Sequence, residues 1–165
     1  MSIFEIAQII NDSQFGTSIR ESVYVYPLLE ALHLIGLAFS VGLILFVDLR
    51  LVGIFLRSVP VTEILRPLRP WLLTGFAVTI STGVLLFIAD AAKVIHIWIF
   101  PFKLLFIFLA GINALWFERR WGHRTSEWEH KPIIPKQVRF AGWTSLMLWS
   151  VVVIAGRLIP YLGYK

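Results

Sequence analysis

The sequence predicts an all-α fold: a four-helix transmembrane bundle with a short N-terminal interfacial amphipathic helix. Three observations carry this expectation. Of 165 residues, 58% are hydrophobic and only 15% charged, against roughly a quarter charged in a soluble domain. Mean hydropathy is +0.78. The apolar residues gather in four runs, each long enough for a crossing of about 20 residues. They are continuous, whereas barrel strands would alternate every second residue. Four crossings plus loops account for the whole chain, so 1–165 is expected to be a single integral membrane domain. With no cysteine, disulfides, thiolate metal sites and thiol catalysis are excluded. The formal net charge of +5 fits loops beside anionic lipid, and no nucleic-acid partner is expected.

Each element has its own justification. The N-terminal "MSIFEIAQIINDS" lacks the basic start and long apolar core of a cleavable signal peptide. Its Ile3, Phe4, Ile6, Ile9 and Ile10 recur at helical spacing, which suits a short helix lying in the interface. A packed cap on the end of the bundle fits the same pattern. The first crossing is expected over 26–55, with Pro27 in its first turn. The second is expected over 71–94, just after Pro70, and the third over 97–116, with Pro101 near its start. The fourth is expected over 140–158, stopping near Pro160. "RSVPVTEILRPLRP", "KVIH" and "ERRWGHRTSEWEHKPIIPKQVR" are the expected loops.

Lysine and arginine set the expected orientation. Arg57, Arg66, Arg69, Arg119, Arg120, Arg124, Lys131, Lys136 and Arg139 fall on the side of the first and third loops, with Arg50 nearby. The opposite side holds Arg20, Lys93 and Lys165, with Lys103 and Arg157 close by inside helices. The basic side should be cytoplasmic and both termini outside. Tyrosines and tryptophans, such as Tyr24, Trp71, Trp98 and Tyr161, gather at the expected helix ends as an aromatic belt.

Ionisable residues inside the crossings are the candidate site. Glu30 and His33 lie one turn apart in the first crossing, Asp90 in the second, Lys103 in the third and Arg157 in the fourth. All sit near the outer side. A charge at the bilayer centre costs roughly 2.5–3.5 kcal/mol, so such groups are expected to pair inside the bundle. Glu30 with Arg157 and Asp90 with Lys103 are the expected pairs. Tyr26, Glu30, His33, Ser40 and Asp48 share one face of the first crossing. Small residues, including Gly36, Gly42, Gly75, Gly83 and Gly111, suit close helix approach or a flat ligand.

Several functions suit this set. The leading one is non-enzymatic: an outer-facing polar site of Glu30, His33, Asp90, Lys103 and Arg157 that binds a small ligand or partner, or exchanges protons. The alternative is a haem b protein for electron transfer, with His33 as axial ligand and His96 as a candidate second one. His33 is also the metal-ligand candidate if an ion is bound, with Glu30 and Asp90 completing a single-ion site. Glu30 and His33 have the Glu-x-x-His spacing of di-iron bundles, but one such motif does not complete that site. A purely structural network that fixes helix register is the plainest reading. "HRTSEWEH" has no recognised metal spacing, and "RPLRP" and "ERR" suit a solvated positive loop or lipid headgroups. No phosphate-binding glycine loop, serine-nucleophile elbow or zinc motif is present.

The segments "IRESVYVYPLLEALHLIGLAFSVGLILFVDLRLVG", "RPWLLTGFAVTISTGVLLFIAD", "FPFKLLFIFLAGINAL" and "AGRLIPYLG" resemble a family of small bacterial inner-membrane proteins defined only as a domain of unknown function. The resemblance runs from about Gly16 to Gly163. It rests on Arg20–Glu21, Pro27, His33, Asp48, Arg50, Pro70–Trp71, Asp90, Lys103 and Arg157, and His96 is not among the shared features. It implies four helices in the bacterial inner membrane and supplies no reaction. The layout is more loosely similar to cytochrome b-type and copper-resistance membrane bundles. The lipid bilayer is the certain partner this implies, with a second copy or another membrane protein as the further candidate.

Overall fold

Four helices are long and apolar enough to cross a membrane, as the four apolar runs predict. The computed structural model describes residues 1–129 and 134–162. His130, Lys131 and Lys165, which entered the charge and histidine expectations, lie outside the described residues. The elements are α1 (Ile3–Asn11), α2 (Gln14–Arg20), α3 (Val25–Val52), α4 (Val61–Val94), α5 (Ile99–Arg120) and α6 (Lys136–Leu162), with a 3-10 turn at Gly122–Glu127 between α5 and α6.

Helix length separates the crossings. At about 1.5 Å per residue, the 28 residues of α3 and 34 of α4 reach well beyond a hydrocarbon core of about 30 Å. The 22 residues of α5 just span it. α4 starts at Val61, ten residues before the expected Trp71, and runs through Pro67 and Pro70. Each proline removes one backbone donor, yet the helix continues because its first turns are anchored. Val61 and Ile64 are buried in a cluster with Val47, Leu51, Phe117, Trp128, Val138 and Ala141. The carboxylate of Glu129 accepts from the backbone N–H of Thr62 at 2.9 Å and from its hydroxyl at 2.7 Å. Glu129 therefore satisfies an orphan N–H at a helix start whose N-cap, Pro60, has no side chain to do so. The break in α4 comes at Asp90, which has non-helical φ/ψ.

α3 packs against α4 on one side and α6 on the other, and α5 packs against α6. The lateral order is thus α4, α3, α6, α5. Small residues bring α3 and α4 together: a Cβ on Gly36 would lie 2.8 Å from Thr79 Oγ1, and one on Gly75 would lie 3.1 Å from Ser40 Cβ. Among the described residues α4 and α5 do not pack along their lengths. One aromatic pair bridges that wider side, Phe87 on Phe100 at 5.4 Å between ring centroids, and Phe76 of α4 meets Trp149 of α6 at 5.0 Å.

The N-terminal helices cap one end. α1 carries a capping box between Ser2 and Glu5, and both α1 and α2 pack on α4. Ile3, Phe4, Ile6 and Ile9 stay exposed while Ala7 is buried. The segment is therefore a docked cap with an outward apolar face, which joins the two patterns its spacing allows.

Candidate functional site

His33 is fixed from α4. Its Nδ1 lies 2.9 Å from the carbonyl of Thr79 and 3.0 Å from Thr82 Oγ1. The carbonyl can only accept, so Nδ1 carries the proton and the neutral ring keeps its lone pair on Nε2. Thr82 spends its own hydroxyl proton on the Val78 carbonyl at 2.7 Å, which leaves its oxygen free to accept. Gly83 makes room for the ring: a Cβ there would lie 3.0 Å from Cε1.

Lys103 is contributed by α5. Its ammonium sits against Gly156 of α6, where a Cβ would lie 3.3 Å from Nζ. α3 thus meets α4 at His33, and α5 meets α6 at Lys103. The chemistry these two contacts offer is a half-buried ammonium, and an imidazole nitrogen that can accept a hydrogen bond, ligate a metal or take a proton.

The other three candidate residues are placed differently. Glu30 is exposed on α3. Arg157 is exposed on α6, donates to the Tyr161 hydroxyl at 2.8 Å and lies over that ring. Asp90 accepts a short hydrogen bond from the Tyr26 hydroxyl. The expected Glu30–Arg157 and Asp90–Lys103 ion pairs are not formed. Among the described residues the ion pairs are Arg69–Glu118 and His123–Glu118, both in the opposite half. α4 and α5 do not adjoin closely enough to make a hairpin seam, and Arg157 finds its partner one turn along its own helix.

Sequence reasoning missed two groups around this end. Arg20 donates from Nη1 to the carbonyl of Ala89 at 2.7 Å and to that of Asn11 at 3.0 Å. It thereby occupies an acceptor beside the break at Asp90 and ties the cap to α4. Tyr26 was placed on the polar face, but its bond to Asp90 was not foreseen. His96, the candidate second haem ligand, is exposed, stacked on Phe4 at 4.9 Å with Nδ1 2.7 Å from the Ala92 carbonyl.

The far half holds a second polar set. Asp48 is buried on α3 and its Oδ2 has no hydrogen-bond partner among the described residues. Arg50, also buried, donates from Nε to the Val59 carbonyl at 2.7 Å. No group of three or more His, Cys, Asp or Glu placed to hold a metal ion occurs among the described residues, so the single-ion site of Glu30, His33 and Asp90 is not assembled.

No curated protein and no solved structure matches the chain at a significant level. A family model does match, over residues 7–162, which is most of the chain, and the chain belongs to that family, described as a family of unknown function (DUF6644).

Proposed function

We propose that this is a non-enzymatic, multi-pass inner-membrane protein whose His33–Lys103 site binds a small anionic ligand. The observation that carries the reading is Lys103. Its ammonium is half-buried against Gly156 of α6, with no carboxylate in ion pair with it among the described residues. An unpaired charge in such a place is costly, and ionisable groups inside membrane spans mark functional sites by default. An anion supplies the missing countercharge, and protonated His33 can add a second contact. Glu30 and Arg157 stand exposed on α3 and α6 as rim residues, and Asp90 braces the site through Tyr26. The basic end, with Arg57, Arg66, Arg69, Arg119 and Arg120, would face the cytoplasm, which puts both termini and the site on the outer side.

The test is a titration of nitrogen-15 histidine-labelled protein in detergent with acetate, butyrate and phosphate. The expected result is a saturable shift of the His33 ring signals, assigned by their loss in His33→Gln, and no shift in Lys103→Met. Absence of any saturable shift in the parent protein, or an equal shift in Lys103→Met, overturns the reading.

A second reading, haem b bound through His33, is favoured by one observation. Nδ1 bonded to a backbone carbonyl is the arrangement in which a histidine presents Nε2 to a metal. His96 does not supply the second ligand from its place beside Phe4. A Soret band in protein from haem-replete cells, lost in His33→Ala, would establish haem, and a colourless protein removes it.

A further inference from the structure

The end of the bundle opposite His33 holds a cavity of about 490 Å³ between the first turns of α4 and the Gly122–Glu127 turn. Its lining includes Leu65, Arg66, Arg69, Pro70 and Leu73 from α4 and His123 from the turn. No carboxylate lines it. Glu118 stands next to it, bonded to Arg69 and 3.4 Å from His123 Nε2. Glu118 takes up Arg69, and the Glu129 carboxylate at the cavity's edge is bonded to Thr62, so Arg66 is the lining cation that neither carboxylate meets. Arg66 is exposed and has no ion-pair partner among the described residues.

The direction of this site along α4 identifies its occupant. Arg66, Arg69, Pro70 and Leu73 follow the three- and four-residue spacing of one helix face. The cations come first, and Leu73 lies about 10 Å further along the helix toward the apolar span. Leu73 is 66% exposed and neighbouring Trp71 is 58% exposed, so the cavity continues onto an apolar helix surface. A free phosphate would use only the cationic end. A molecule with a phosphate head and acyl chains uses both, with its head at the depth where basic pockets meet anionic lipid.

We propose that this cavity is a binding site for an anionic phospholipid, whose phosphate lies between Arg66 and Arg69 and whose chains run along the Leu73 face. Arginine suits the head because its planar fork matches phosphate oxygens. The site is independent of the His33–Lys103 reading, since no residue is shared.

Native mass spectrometry of the full chain, released from mixed micelles of phosphatidylglycerol and phosphatidylcholine, tests this. The expected result is about tenfold preferential retention of phosphatidylglycerol, lost in Arg66→Gln and kept in Arg57→Gln, with unchanged helicity in both. Arg57 is an exposed cation of the same end that does not line the cavity. Equal retention of the two lipids, or equal losses in the two variants, overturns the proposal, the second because it reports diffuse charge attraction. Displacement of the lipid by millimolar inorganic phosphate reassigns the site to free phosphate and overturns the lipid.

Discussion

At the scale of single residues, the side chain that most organises the basic end is Trp128. It is fully buried among Val61, Ile64, Phe117 and Val138, and its indole N–H donates to the Trp121 carbonyl at 3.2 Å. Loss of a buried aromatic of this size costs about 3–5 kcal/mol. Trp128→Ala is therefore expected to lower the unfolding free energy in detergent by that amount, whereas Trp98→Ala, at a 66% exposed position, should change it by well under 1 kcal/mol. Equal effects would show that Trp128 is not a core residue. The sequence offered little warning: "HRTSEWEH" is polar around Trp128, so no periodic pattern marks it as buried. Asp48 has the converse history. Its place on the inward face was readable from the spacing to Ser40, but the orphaned Oδ2 was not, because partners come from other helices.

Among the elements, the junction of cap and α4 makes the sharpest claim. Gly16 sits where a Cβ would lie 3.0 Å from the carbonyl oxygens of both Ile10 and Ile88. Both are backbone atoms, which cannot swing aside as a side-chain tip can. Gly16→Ala should push α2 off α4 and release the Arg20 bond to Ala89. The expected readout is faster amide exchange over 3–20 with unchanged protection in the middle of α3 and α4. Unchanged exchange over 3–20 would mean that the cap is not held by this contact. The four long helices were legible because continuous apolar runs leave few alternatives. The start of α4 was not, because Pro67 and Pro70 suggest a boundary that tertiary anchoring by Val61, Ile64 and Glu129 overrides.

For the whole molecule, the arrangement α4, α3, α6, α5 decides which polar groups meet. Sequence neighbours in the α4–α5 link were expected to pair Asp90 with Lys103, but Asp90 meets Tyr26 of α3 and Lys103 meets Gly156 of α6. The end of the bundle to which each candidate residue belongs was readable from its position along its helix. Lateral order was not readable, since no pattern in one chain says which helix lies beside which. Orientation across the membrane has a direct check, because the chain has no cysteine. Single cysteines at Ser2 and at Ser126 should label from opposite sides of the membrane, Ser126→Cys from the cytoplasm under the proposed orientation. Labelling of Ser126→Cys by an impermeant reagent outside intact spheroplasts would invert the proposed orientation.

The most direct measurement is the thermal stability of Lys103→Met in detergent without added ligand. Breaking a buried ion pair strands its other half and costs about 3–5 kcal/mol. Lys103 has no carboxylate in ion pair with it among the described residues, so exchanging its ammonium for an apolar chain of similar length should leave the melting temperature unchanged or raise it. A residue kept at a cost to stability is what a ligand-binding cation should be. A fall of several kcal/mol would contradict this, by showing that Lys103 is paired inside the protein and is structural.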